Sequence, residues 1–503
     1  MSARQDSDDV AWERSDEVWE EDMRRARRHS VCCKIEAFAS KSFGSAATIV
    51  PPLVLGGFNA IYPIRIEDCS DPVIVRCPLP HQALFPEEKT LSEAATAMFL
   101  IQHTQTPIPK LLNYGVDTEI GPFLVMQDLK SRRSLCDVLA APRESLDDTP
   151  VLRADIPESK LKDVYRELGS FLLQIAQFTF PRIGSLLETS PGVFDVLTRP
   201  TTLNMQALVH QSNIPLSILP AKHTTYPTTN TWYTALADLH LATLLFQHND
   251  IVTSADDCRT KYIARQLFRR LAKQGRLSTF GFADDDWSAQ AQSKTLTATL
   301  PAPPNSGPNA FRLWADDFRP ANILVADDAS DAILGALDWE FAYAAPAQFV
   351  LDPPWWLLLQ VPELWQEGLE DWAGVYDSRI RTWLAAVEEA ERGMAPGEGA
   401  FLLSGYMRQS WETGRFWVDY AARKSYAFDA IYWRYLDERF FGERGEGVSR
   451  EELWKTRVGL LSEEERGGME RMVLIKMEEA KERVLMEWGD EEARERLASF
   501  LFD

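Results

Sequence analysis

The stretch Leu313-Trp314-Ala315-Asp316-Asp317-Phe318-Arg319-Pro320-Ala321-Asn322-Ile323-Leu324, followed by Leu337-Asp338-Trp339-Glu340, decides how this chain folds. Between its two parts lie the β-rich runs Ile323-Leu324-Val325 and Ala332-Ile333-Leu334-Gly335-Ala336-Leu337. They flank the turn-forming Asp327-Asp328-Ala329-Ser330-Asp331, a pattern that predicts a β-hairpin. A hairpin returns the chain to its start, so Asn322 and Asp338 are expected to face one site, with Asp317 close before them. Any one of these residues alone reads as a cap or a turn residue. The three together around a hairpin read as chemistry.

The chemistry that fits is phosphoryl transfer. It asks a protein for a carboxylate near an acceptor hydroxyl and for oxygen ligands to a Mg2+ ion that bridges a triphosphate. Asp317, Asn322 and Asp338 are of those types.

The rest of the composition is compatible with that reading. With 503 residues and 45% apolar composition, the chain can bury a large core in more than one lobe. Its 53 basic and 75 acidic residues leave a net charge of −22, which works against nucleic acid or an anionic membrane as a partner. About half of that charge lies beyond residue 360 and reads as solvated helix faces. The six cysteines form no CxxC pair and no zinc spacing, as in a protein of a reducing compartment. The charged amino terminus lacks the apolar core of a signal peptide, and the run Trp355 to Leu359 is too short to span a bilayer. A cytoplasmic location is expected.

Residues 1–30, with Trp12 and Trp19 among mixed charges, read as an amphipathic extension without chemistry of its own. Residues 31–130 read as a small antiparallel-sheet lobe, with strands at Val31 to Phe38, Ala60 to Glu67, Pro72 to Cys77 and Phe123 to Met126. The helix expected at Glu88 to His103 offers Leu91, Ala95, Met98, Phe99 and Ile101 as a buried face. Residues 131–380 are mainly helical, with helices at Leu161 to Phe178 and Trp232 to Phe246. Residues 381–503 read as a helical extension packed on that lobe, including a helix at Met469 to Trp488. Asp284-Asp285-Asp286 reads as a solvated loop, and His240, among Leu236, Leu239 and Leu244, as a satisfied core residue.

These motifs resemble the aminoglycoside phosphotransferase family of kinase-like phosphotransferases, in particular its fungal members of unassigned substrate. The family pattern His-Gly-Asp-x-His-x-x-Asn corresponds here to Ala315-Asp316-Asp317-Phe318-Arg319-Pro320-Ala321-Asn322. The resemblance spans roughly residues 31 to 440 and takes in Phe180 to Leu186 and Pro353 to Leu358. It implies a two-lobed, protein-kinase-like α+β fold with ATP and Mg2+ as cofactors. Asp317 would then be the catalytic carboxylate, and Asn322 and Asp338 the metal ligands. Arg76, where relatives carry Lys, would pair with the ATP phosphates, with Glu93 as its helix partner. Gly56, Gly57, Phe58 and Asn59 would form a turn over the phosphates, because glycines let backbone amides approach them. Gln127 and Leu129 would border the adenine in the hinge between lobes. Asp352 would be a structural brace. Ala315 departs from the usual His, which should loosen the site; Arg319 would either touch the transferring phosphate or pair with an acid.

Between Asp338 and Pro346 there is no Ser or Thr and no long loop, so a phosphorylated activation segment has no room. The expected acceptor is therefore a hydroxyl of a small molecule, and a protein kinase is the least favoured reading. A nucleotide-binding pseudoenzyme or regulatory scaffold is the alternative, encouraged by Ala315, Arg76 and the long helical tail.

Overall fold

The computed structural model describes residues 7–145, 148–328, 330–394 and 402–502. The fold is two-lobed α+β with a kinase-like arrangement: a small antiparallel sheet with one long helix behind it, then a large, mainly helical lobe. The chain opens with helices α1 (Asp9–Ala26) and α2 (His29–Phe43). The strand expected at Val31 to Phe38 is thus a helix. Ile35, Phe38 and Ala39 recur at helical spacing, and burying them against the sheet outweighs the β-propensity of the segment. Gly44 ends α2 in the left-handed region at φ 72°, donating its N–H to Ser40 O.

Strands β1 (Ala47–Ile49), β2 (Val54–Leu55), β3 (Asn59–Ile66), β4 (Val73–Pro78), β5 (Leu111–Gly115) and β6 (Phe123–Gln127) form one sheet, ordered β1-β3-β4-β6-β5 with β2 also on β3. Every pairing is antiparallel. Alternation along β4 sorts its side chains. Val73 and Val75 join the core under α2, whereas Ile74 and Arg76 face the cleft and helix α3 (Pro86–His103). Arg76 is in register with Ile61 on one side and Leu124 on the other, which centres it in the sheet.

Helix α3 buries Ala95 and packs Phe99 on the core as expected, but its buried residues also include Lys89, Glu93, Ala94, Ala97 and Leu100, while Ile101 is 42% exposed. The helix turns charges inward because that face meets oppositely charged groups.

The large lobe contains α4 (Leu135–Leu139), α5 (Glu158–Ile175), β7 (Thr179–Phe180), the hairpin β8 (Ser185–Ser190) and β9 (Val193–Thr198), α6 (Leu203–Ser212), α7 (Thr229–Phe246) and α8 (Ala255–Lys273). Strand β10 (Phe311–Ala315) lies between β7 and β13 (Ala342–Pro346), and β11 (Ile323–Val325) pairs with β12 (Ile333–Ala336) as the expected hairpin. The helix Leu369–Gly393 packs along α5, where a Cβ on Gly169 would come within 3.1 Å of Val387 Cγ2. One apolar core runs from Ala95 to Phe500 and draws on residues either side of position 381, so the tail shares it.

Two local expectations are corrected. The helix placed at Met469 to Trp488 is Glu463–Glu479, started by a capping box between Ser462 and Glu465. Residues 480–489 beyond it are non-helical, with carbonyls at Glu482, Val484 and Met486 that accept from His248, Asn249 and Asn213, and a last helix follows at Asp490–Ala498. In the acidic triplet Asp285 is buried and accepts from Gly281 N, Ser288 N and Ser288 Oγ, while Asp284 and Asp286 are exposed. His240 is a core residue stacked on Phe428 at 4.3 Å, and burial drives its pKa down to about 3.

No helix among the described residues is long and apolar enough to cross a membrane.

Candidate active site

The site is assembled by backbone pairing. Ala315, at the end of β10, is in register with Ala342, and Asp316 N donates to Phe341 O at 3.2 Å, so the loop after β10 lies against the segment before β13. The β11–β12 hairpin closes with Leu337 N donating to Asn322 O at 2.8 Å. That single bond places Asn322 beside Asp338. Asp338 sits in the left-handed region at φ 60°, an unusual backbone for a residue other than glycine and one that Asp tolerates better than most.

Asn322 Nδ2 donates to Asp317 Oδ2 and to Asp317 O, both at 2.9 Å. Arg319 Nε lies 2.7 Å from Asp317 Oδ1. Burial raises the Asp317 pKa despite the opposing pull of Arg319 and Asn322. Asp316 is also buried, and its Oδ1 accepts from Trp314 Nε1 at 2.7 Å.

Across the cleft, Arg76 pairs with Glu93, with Asp338 Oδ1 at 2.9 Å and with Glu340 Oε2 at 3.3 Å. Lys89 pairs with Glu340 as well and donates to Asn59 Oδ1 at 2.8 Å, while Asn59 Nδ2 donates to Glu340 Oε2 at 3.0 Å. Burial opposes the charges in this cluster, and the partners decide the outcome. Burial would raise Glu340, but Lys89 and Arg76 hold it below its ordinary value. At Glu93 burial prevails over Arg76 and lifts the pKa to about 7. Burial likewise works against the Arg76 cation, and Glu93, Asp338 and Glu340 together raise its pKa instead.

The structure therefore brings Asp317, Asn322 and Asp338 together on one side and Arg76, Glu93 and Asn59 on the other. Lys89 and Glu340 join them without having been singled out from the sequence. Their signal was present in part: Lys89 is four residues before Glu93 on α3, and Glu340 closes the Asp-Trp-Glu tripeptide. Asn59 is occupied by Glu340 and Lys89, so its side chain serves to hold the turn. Gly56 and Gly57 are exposed between β2 and β3, and Phe58 rests edge-on against Phe341 at 5.2 Å. Gln127 and Leu129 line the far end of the cleft with Ile61, Ile74 and Leu124. The Gln127 and Asp128 N–H groups are already bonded to Lys110 O and Pro72 O, which removes the Gln127 amide from base recognition.

Asp352 is buried below the site, accepting from Ser410 Oγ and from Arg415 Nε at 3.4 Å, as befits a brace.

No family model matches the chain, and no curated protein matches it. Among solved structures, similarity is found to a thermostable mutant of aminoglycoside phosphotransferase APH(4)-Ia in ternary complex with AMP-PNP and hygromycin B. Identity is 12%, the match covers 77% of this chain and 98% of the other, and the TM-score is 0.36. The GDP and kanamycin complex of APH(2")-IIIa is similar at 13% identity, with 85% and 98% coverage and a TM-score of 0.37. The GDP complex of wild-type aminoglycoside 2'-phosphotransferase-IIIa is similar at 12% identity, with 86% and 99% coverage and a TM-score of 0.37. At these values the functional reading rests on the chain's own geometry.

Proposed function

We propose that the protein is an ATP- and Mg2+-dependent phosphotransferase acting on a hydroxyl of a small molecule. The observation that carries this reading is the convergence of Asp317, Asn322 and Asp338 opposite the buried Arg76–Glu93 pair. Arg76 and the segments Phe180 to Leu186 and Pro353 to Leu358 support placing it with the fungal aminoglycoside phosphotransferase relatives of unassigned substrate, and we expect it to work in the cytoplasm.

The donor set fits Mg2+. Asn322 Oδ1 and Asp338 Oδ2 form no hydrogen bond among the described residues, and no three His, Cys, Asp or Glu gather there as a closed metal cage. Mg2+ suits such a site, since it takes one or two protein oxygens and completes its shell with phosphates and water. When bound, it would offset the negative charge of the triphosphate.

The chain's own residues account for the rest. Arg76 is held by Glu93 and can exchange Asp338 for phosphate oxygens. The Gly56–Gly57 backbone can approach those oxygens from the sheet side, and Leu129 borders the base. Asp317, made more basic by burial, accepts the proton of the acceptor hydroxyl. The hydroxyl oxygen bonds to the γ-phosphorus as the bond from that phosphorus to the departing ADP breaks.

A metabolite panel screened by mass for ATP-dependent gain of one phosphate tests the activity. With an acceptor in hand, Asp317→Asn is expected to lower turnover roughly a thousandfold while Mg-ATP affinity holds. Asp338→Ala is expected to abolish the thermal stabilisation given by Mg-ATP. If Asp338→Ala binds Mg-ATP as well as the parent chain does, the metal assignment fails.

One observation favours a second reading, a nucleotide-binding scaffold without turnover: Arg319 occupies Asp317 Oδ1, the atom an acceptor would need. Mg-ATP binding with no phosphorylated product, unchanged in Asp317→Asn, would establish that alternative.

A further inference from the structure

Helix α1, which the sequence presented as an extension without chemistry, is fastened at both ends to different lobes. At its start Asp8 is fully buried and accepts from Asn249 N and Asn249 Nδ2 at 3.0 Å, while Asp8 N donates to Gln211 O at 2.8 Å. At its end Asp22 is 1% exposed and accepts from His81 N at 2.9 Å and His81 Nδ1 at 2.8 Å, and Tyr62 OH donates to Ala26 O at 3.0 Å. In between, Gln82 Nε2 donates to Ser15 O at 3.2 Å and Trp19 Nε1 to Gly56 O at 3.4 Å. Buried carboxylates of this kind are costly unless satisfied, and both are satisfied. The helix is therefore a strap laid across the lobes and onto the glycine turn.

Beneath the strap lies a cavity of about 520 Å³, within the size range of small-molecule sites. Trp12 and Trp19, two helical turns apart on one face of α1, form one wall. Gly57 and Phe58 of the turn form a second, and Leu203 of α6 with Tyr426 forms the floor. The turn that bounds this cavity through Gly57 and Phe58 continues into Asn59, which bonds Glu340 of the charged cluster around Arg76 and Asp338. An acceptor has to approach that cluster. The cavity wall carries two carboxyl groups, Asp16 and Glu363, against one lysine, Lys424, and four aromatic rings, Trp12, Trp19, Phe58 and Tyr426, whose faces favour a flat ring.

We infer that this cavity receives the phosphate acceptor and that Trp12 and Trp19 select an alcohol carried on a flat, apolar, ring-bearing body. The inference rests on the phosphotransferase reading above and adds the acceptor class and the role of α1.

Calorimetric titration of the full chain with tryptophol, an indole alcohol, tests it, with sorbitol as the non-aromatic polyol and Mg-AMP-PNP affinity measured in parallel. Tryptophol is expected to bind whether or not Mg-AMP-PNP is present, and sorbitol is not. Trp12→Ala is expected to weaken tryptophol about tenfold, and Trp12→Phe to restore most of that loss. Leu203→Trp, which fills the cavity from α6 and leaves the strap intact, is expected to abolish tryptophol binding. Mg-AMP-PNP affinity is expected to hold in all three variants. Tryptophol binding that is absent, displaced by AMP-PNP, or unaffected by Trp12→Ala and Leu203→Trp overturns the inference and leaves the nucleotide reading standing. A chain that binds tryptophol through Trp12 but never Mg-AMP-PNP overturns the acceptor role together with the phosphotransferase reading.

Discussion

Two buried clusters of carboxylates and cations lie in this molecule, and they are neutralised in different ways. At the cleft, Glu93, Glu340 and Asp338 face Arg76 and Lys89, and Glu340 stays ionised because cations outweigh its burial. In the large lobe, Asp352 is bonded by Ser410 and Arg415 and Asp419 by Tyr233, and burial, with the Asp352 charge adding to it, raises Asp419 well above the ordinary carboxylate range. Burial and a neighbouring like charge both disfavour the ionised form, so Asp419 holds its proton more tightly than an ordinary carboxyl group. The first cluster joins three separate elements, β4, α3 and the Asp-Trp-Glu segment, through ions that the proposed nucleotide would re-partner. The second fastens the segment after β13 to the helix Arg415–Arg423.

The largest expected effect comes from breaking the ionised cluster. Glu340→Ala leaves Lys89 and Arg76 short of a buried counter-ion, and loss of one partner in such a pair costs about 3–5 kcal/mol. Urea unfolding of the variant is expected to show a loss of that size, with the double variant Glu340→Ala, Lys89→Met recovering part of it. If Glu340→Ala unfolds at the parent midpoint, the cleft cluster is not under the electrostatic load described here.

How the sequence reads at these two places follows from the range of the interactions. Asp317, Asn322 and Asp338 could be brought together on paper because a hairpin is local and its turn residues announce it. Arg76 and Glu93 followed from family resemblance, with the alternation along β4 to agree. Lys89 and Glu340 escaped, since no periodicity connects α3 to a tripeptide so far along the chain. Hydrophobic spacing on α3 even favoured Ile101, which the structure leaves exposed, over the charged residues it buries. At α2 it was β-propensity that suggested a strand, where the helical spacing of Ile35, Phe38 and Ala39 prevails. Asp352 was legible as a brace, but its neighbour Asp419 was not, because nothing in a helix sequence marks a carboxyl group that will stay protonated.

The raised Asp419 pKa makes the second cluster testable at smaller amplitude. Asp419 has a folded pKa above its unfolded value, so the folded chain retains a proton that the unfolded chain releases. Its contribution is fully present below the ordinary carboxylate pKa and is lost as pH rises toward the folded value. Asp419→Asn replaces the protonated carboxyl with a neutral isostere. Relative to the parent, the variant is expected to gain stability as pH rises from 4 to 8, with a difference in slope of at most about 1.4 kcal/mol per pH unit, equivalent to one proton. Parallel stability curves for the two proteins would show that Asp419 is ionised in the fold and would erase the contrast between the clusters.

The smallest structural effect is expected at Gly57, and its smallness is what makes it informative. Gly57 lies outside the left-handed region, and a Cβ built on it meets nothing within 4 Å. Neither backbone strain nor packing accounts for a glycine there. Gly57→Ala should therefore change unfolding free energy by no more than about 0.5–1 kcal/mol, in the stabilising direction, because alanine restricts the unfolded chain. If the turn closes over phosphates, the added methyl obstructs the approach of its amides, and Mg-ATP affinity should fall severalfold in the same stabilised protein. A variant that is more stable and binds Mg-ATP unchanged would mean that the turn only carries Asn59 to Glu340, and that the cleft cluster is as purely structural as the one around Asp419.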